Sequence, residues 1–94
     1  LQAALRAGAA LVRSGERRSA TVLAAVRRRL AEAPLFRPQY IELVDALTLA
    51  PVDRLSGRVI LAAAGFLGKA RLIDNIPLTV PGSRARRKAI GEIA

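Results

Sequence analysis

The residues able to do acid–base or metal chemistry are few and scattered. The seven carboxylates are Glu16, Glu32, Glu42, Asp45, Asp53, Asp74 and Glu92. No two of them stand at a spacing that forces a general acid and a general base onto one site. The chain holds no histidine and no cysteine, which excludes zinc sites, Ser-His triads and thiolate chemistry within these residues. The most pointed polar feature is Asp74-Asn75, directly after two strand-like residues. Such a pair could bind a substrate or a partner backbone, and it could equally close the strand end on local amides. Gly65, Gly68 and Lys69 do not make a phosphate loop. The Walker pattern needs Gly-x4-Gly-Lys-Ser/Thr before a helix, and here only Gly68-Lys69-Ala70 occurs, before a strand. Lys69 is either an exposed turn lysine or a cation within reach of an anionic ligand. The Arg27–Arg29 triplet could grip phosphate or simply complement the negative end of a helix. No catalytic, cofactor-binding or metal-ligating residue is assigned.

The elements that would position these groups begin with residues 59–75, VILAAAGFLGKARLIDN. An apolar run bounded by glycine and followed by a second apolar segment reads as a β-hairpin turning at Gly68-Lys69. Upstream, residues 1–14 read as a helix with Leu1, Leu5, Gly8, Ala9 and Val12 on one face, stopped at Ser14-Gly15. Residues 19–33 read as a second helix, N-capped by Ser19, with Leu23, Val26, Leu30 and Ala33 facing the core. Pro34 stops it, and residues 39–45 alternate as a strand, with Ile41 and Leu43 on one side and Tyr40, Glu42 and Val44 on the other. Residues 46–57 are a loop containing Pro51 and the turn pair Ser56-Gly57, and residues 76–80 extend the hairpin's second strand, with Pro77 implying a sheet edge or a bulge. The order helix, helix, strand, strand, strand predicts an α+β fold: two helices packed on a three-stranded, mainly antiparallel sheet.

Composition bounds the function classes. Ninety-four residues fit one domain with a single small core. The net charge is +9, and 14 of the 16 basic residues are arginine. That balance fits a polyanion partner, such as nucleic acid, ATP or an acidic protein surface, or a compositional bias toward alanine and arginine. One tyrosine, two phenylalanines and no tryptophan supply no platform for stacking bases. No apolar run reaches the ~20 residues of a membrane helix. The lack of cysteine suits a cytoplasmic protein. No methionine is present and Leu1 already lies within the helical pattern, so the chain is expected to be part of a longer protein.

The string ARLIDN at 70–75, after an apolar strand and a Leu-Gly turn, resembles the C-terminal domain of the pantothenate synthetase (pantoate–β-alanine ligase) family. So does YIELVDALTLAPVDRLSG at 40–57, where Asp45 is followed by Thr48-Leu49, and so does the Gly15-Glu16-Arg17 join between the helices. The resemblance runs from about residue 1 to residue 80. It implies a lid domain at 1–80, a basic tail or linker at 81–94, and an upstream Rossmann-type catalytic domain outside this chain. The family's enzymes join (R)-pantoate to β-alanine with ATP and Mg2+ through a pantoyl-adenylate, and a homodimer is expected. The family's catalytic positions lie upstream, so this piece would be inactive alone and would act by closing over the cleft. Lys69, Arg71, Asp74 and Asn75 are its candidate closure contacts. The segment Ala63–Gly68 is one residue longer than the family's usual pattern, which predicts a β-bulge at residues 64–66, centred on Gly65. The basic tail, with Arg84, Arg86, Arg87 and Lys88, extends past the family's usual end and suits either a disordered terminus or a linker to a fused cytidylate kinase. The alternative from another class is a small basic module that binds RNA or an acidic protein.

Overall fold

The structure, a computed structural model, describes residues 1–82; the tail from residue 83 on, with all its basic residues, lies outside the described residues. Helices α1 (Gln2–Arg13) and α2 (Ser19–Leu30) precede strands β1 (Phe36–Asp45), β2 (Arg58–Leu67) and β3 (Ala70–Thr79). The strands form one sheet in the order β1-β2-β3, antiparallel throughout. The two helices cover one face of it, and the core lies between the layers. The expected α+β class and element order are both present.

In α1 the buried residues are Ala4, Leu5, Gly8, Ala9 and Val12, a stripe at helical spacing. Glycine at position 8 permits a close approach. A Cβ there would lie 2.7 Å from Val26 Cγ2 and 3.0 Å from Leu61 Cδ2. The helix stops as Ser14-Gly15 suggested. Gly15 takes φ 119°, its amide donates to Val12 O at 3.2 Å, and the Glu16 amide donates to Leu11 O at 2.9 Å. This pair of bonds is a Schellman motif, which satisfies carbonyls the helix end would otherwise leave open.

Helix α2 departs from expectation at both ends. Its cap residue is Arg18, in extended conformation, and Ser19 is the first helical residue. Ser19 is buried, and its amide donates to Asp53 O at 2.9 Å. The Leu55 amide likewise donates to Arg17 O at 2.8 Å. Backbone pairing with the loop at 53–55 thus replaces the side-chain cap that serine was expected to provide. The buried positions are Val22, Val26 and Leu30, while Leu23 is only partly covered. Ala33 lies exposed beyond the helix end, where the chain tightens into turns.

Strand β1 starts at Phe36, three residues before the expected start at 39, because Phe36 is a core residue. The expected bulge at Gly65 is not there. Strand β2 pairs with β3 without interruption through Ala64, Gly65 and Phe66. The irregularity sits on the partner strand, where Pro38 opposes Gly65 and Tyr40 opposes Ala64, leaving Gln39 as the extra residue. The odd residue turns the start of β1 over. Ile41 and Leu43 point to the helices, and beyond Gln39 so does Phe36, while Arg37 lies over the Phe66 ring on the opposite face. Gly65 serves this junction by lacking a side chain. A Cβ would fall 2.4 Å from Phe36 Cζ and 2.5 Å from Arg37 O. Pro77 sits on β3, an edge strand, as its missing amide requires.

Candidate functional site

The four residues expected to make closure contacts share one strand and turn but do not converge. Gly68 takes φ 62° at the first turn position, the pattern of a type II′ hairpin turn, and Lys69 follows it fully at the surface. Arg71 lies on the sheet face away from the helices, where its Nε donates to Gln39 Oε1 at 2.9 Å. Asp74 lies on the helix side, alternating with Arg71 and Asn75 as strand geometry dictates. Its Oδ1 accepts the Asn75 amide at 2.8 Å. Of the two readings open for Asp74, the local one is the bond observed. Lys69 and Asn75 are six residues apart along a strand, roughly 20 Å. One small substrate cannot bridge that span.

Two further polar assemblies hold loops rather than reactants. Asp45 Oδ1 accepts the amides of Leu47 at 2.8 Å and Thr48 at 2.9 Å. The Thr48 amide first and the Leu47 amide second hold the Asp45 carboxyl below the usual carboxylate range, because both bonds favour its charged form. The Thr48 hydroxyl accepts the Ala50 amide at 3.2 Å, and Leu49 adopts φ 63°. The loop is therefore a rigid turn that displays Leu47, 91% exposed, and Leu49. At the same end of the molecule Arg17 donates from Nη1 to Val12 O at 3.2 Å and to Glu16 O at 3.0 Å, and from Nη2 to Pro81 O. This one guanidinium ties the end of α1 to the chain leaving β3. The Glu16 carboxylate in turn accepts the amides of Arg17 and Arg18. The Gly15-Glu16-Arg17 join is thus a structural joint.

A group that sequence reasoning missed lies at the hairpin end. Arg37 on β1, Phe66 on β2 and Arg71 on β3 stand directly opposite one another and form a row across the sheet. The Arg37 guanidinium lies 5.8 Å from the Phe66 ring centroid, within cation–π range. Leu35, 77% exposed, and Leu67, 47% exposed, flank a shallow concavity of about 620 Å³ with Pro34, Arg37 and Gly68. The only signal in the sequence was positional, and it required the register of all three strands. Among the described residues no group of three or more His, Cys, Asp or Glu could hold a metal ion. No helix of the described residues is long and apolar enough to cross a membrane.

Comparison with known proteins is consistent over most of the chain. The family model described as pantoate-beta-alanine ligase matches residues 1–77. The chain is 41% identical over 80 residues to the pantothenate synthetase of Moorella thermoacetica, covering 85% of this chain and 28% of that protein. It is 45% identical over 87 residues to the pantothenate synthetase of Salinibacter ruber, covering 90% and 30%. It is 40% identical over 82 residues to a bifunctional pantoate ligase/cytidylate kinase of Synechococcus sp., covering 87% and 15%. Among solved structures, the pantothenate synthetase of Thermus thermophilus superposes with a TM-score of 0.76 at 33% identity, over 81% of this chain and 27% of that one. The chain spans no more than 30% of the length of these relatives.

Proposed function

Because this chain belongs to the pantoate–β-alanine ligase family, we propose that residues 1–80 are the C-terminal lid domain of such an enzyme, following a Rossmann-type catalytic domain and followed by a tail or linker at 81–94. The whole enzyme would be a cytoplasmic homodimer that condenses (R)-pantoate with β-alanine through a pantoyl-adenylate. The observation that carries this reading is the family match along residues 1–77, on a fold whose polar groups serve loops and joints. ATP activates the pantoate carboxylate by adenylation. ATP and Mg2+ would be the cosubstrate and ion of the whole enzyme, and closure of this domain would help complete the ATP site.

In this reading the chain contributes closure. An acyl-adenylate hydrolyses readily, and a domain that covers the cleft keeps water from it until the amine arrives. Lys69, Arg71, Asp74 and Asn75 are the side chains of the hairpin through which it would meet the cleft. Asp74 is already engaged with its neighbour's amide and Arg71 through Nε with Gln39, so Lys69 and the outer guanidinium nitrogens of Arg71 would carry most of the contact.

The test is uncoupling. In the full-length enzyme, deletion of residues 1–82 should leave slow adenylation while the intermediate is lost to water. AMP release measured against pantothenate formed would then rise well above one to one. A deleted enzyme that still forms one pantothenate per AMP at the normal rate overturns the lid assignment.

A further inference from the structure

We propose that the projecting hairpin end, with Leu35 and Leu67 beside Arg37 and Lys69 and with Arg71 on the face away from the helices, is the surface that latches this domain onto an apolar patch of the upstream domain of the same polypeptide that carries acidic groups. The inference rests on the lid reading and goes beyond it by naming the face and the chemistry of its counterpart.

Three observations converge. The first is uncovered apolar surface. The helices leave the hairpin end bare, so Leu35 and Leu67 stand 77% and 47% exposed beside one concavity. Burying large apolar side chains is the ordinary driving force for association. The second is charge. Residues 33–41 and 65–73 carry Arg37, Lys69 and Arg71 and not one carboxylate. Arg37 lines the concavity with Leu35 and Leu67, Lys69 stands at the turn, and Arg71 lies across Phe66 on the face away from the helices, so cations stand around the hairpin end. Cations beside an apolar surface fit a counterpart with carboxylates beside an apolar centre.

The third observation is position. Arg17 ties the C-terminal end of α1 to Pro81, just past the Thr79 end of β3, which pairs with Arg58. Midway along α1, Gly8 rests on Leu61, in the middle of β2. Helix α1 therefore runs from the hairpin-turn end of the sheet toward the Arg58 end. Leu1 lies in the half of the domain nearest the turn, partly buried against the core. Any chain preceding Leu1 joins the domain at the end where the patch is displayed. The rigid Leu47-Leu49 turn also exposes leucines, but it lies at the opposite end of the sheet, beside Arg58.

The experiment uses the full-length enzyme with ATP and pantoate as the closing ligands. Closure is followed by small-angle scattering and the patch by amide exchange at residues 66–71. The expected result is compaction accompanied by about tenfold slower exchange at those amides. In the variant Lys69→Glu/Arg71→Glu that protection should vanish and kcat/KM should fall about tenfold. Leu67→Ser should reproduce the loss, and circular dichroism confirms that each variant keeps its fold. Added salt should weaken the protection, since these charges are solvent-facing. Compaction with residues 66–71 unprotected overturns the latch and leaves the lid reading intact. No compaction at all overturns the lid reading and the latch with it. Protection that appears with ATP alone and is competed by pyrophosphate makes phosphate the occupant. Protection that grows with protein concentration makes it a second copy. Either result overturns the assignment to an acidic surface of the upstream domain.

Discussion

Gly65→Ala is the substitution that most directly probes how the strands are packed. The added Cβ would sit 2.4 Å from Phe36 Cζ, 2.8 Å from Phe36 Cε2 and 2.5 Å from Arg37 O. A ring can shift away from a methyl group, and Phe36, though a core residue, borders a concavity beside Leu30, Pro34 and Ile41 that gives it some room. The carbonyl of Arg37 belongs to the neighbouring strand and moves only if β1 separates from β2 beside the bulge. Overpacking of a tight core costs about 1–3 kcal/mol, and a partly dislodged aromatic adds to this, so we expect about 3 kcal/mol. For a domain of this size that lowers Tm by roughly 12–24 °C. Gly8→Ala is the control, because the atoms nearest its Cβ are the side-chain methyl groups of Val26, Leu61 and Val22, at 2.7–3.2 Å. There alanine's helical preference, worth about 1 kcal/mol, offsets part of the crowding, and the loss should be about 1 kcal/mol. Thermal unfolding followed at 222 nm compares the two. Combining Gly65→Ala with Phe36→Leu should recover only part of the loss, since the Arg37 carbonyl still clashes. A Gly65→Ala variant melting within about 2 °C of the parent, well inside the expected shift, refutes the packing described for Phe36 and Arg37.

Arg17→Ala removes three donor contacts to the carbonyls of Val12, Glu16 and Pro81. It should cost about 2 kcal/mol in urea unfolding, and Arg17→Lys should recover less than half, since a lysine cannot span the three acceptors. Asp45 has a folded pKa depressed below its ordinary 3.8 by the amides of Thr48 and Leu47. Its contribution is therefore present above pH 3.8 and is lost as pH falls through the folded value. Asp45→Ala should flatten the acid limb of a stability-against-pH curve, and an unchanged limb would show that the two bonds do not form. Leu49 at φ 63° is strained, so Leu49→Asn should stabilise by about 0.5 kcal/mol and Leu49→Val should destabilise by about 1 kcal/mol. Denaturant midpoints of the two variants check both signs.

Local patterns were legible and non-local ones were not. The α1 stripe, the stop at Gly15, the turn at Gly68-Lys69 and the edge position of Pro77 each depend on residues within a few positions of one another. Ser19 looked like a helix cap because serine usually is one. The competing partner, Asp53, lies more than thirty residues away in sequence and could be found only in the folded chain. Expecting the bulge at Gly65 put it on the wrong strand: β2 runs through Gly65 without interruption, and the unpaired residue is Gln39 of β1, whose own segment carried no such signal. The Arg17 contact with Pro81 spans 64 positions and has no local signature. The Arg37–Phe66–Arg71 row likewise exists only once both strand registers are known. The four candidate contacts do share one hairpin, but sequence alone could not separate Arg71 and Asn75 from Asp74 across the two faces of the sheet.

The bulge at Gln39 also sets what kinds of genetic change this domain can survive. Loss of that single codon would join Pro38 to Tyr40 in an uninterrupted ladder. Residues ahead of it would then rotate by half a turn, sending Phe36 to solvent and the Arg37 guanidinium toward Leu30 and the helices. A substitution at Gln39 would forfeit only its bond to Arg71. Position 39 is thus permissive in its side chain and strict in its existence. Sequence variation among working versions of this domain should be free in letter there and fixed in length.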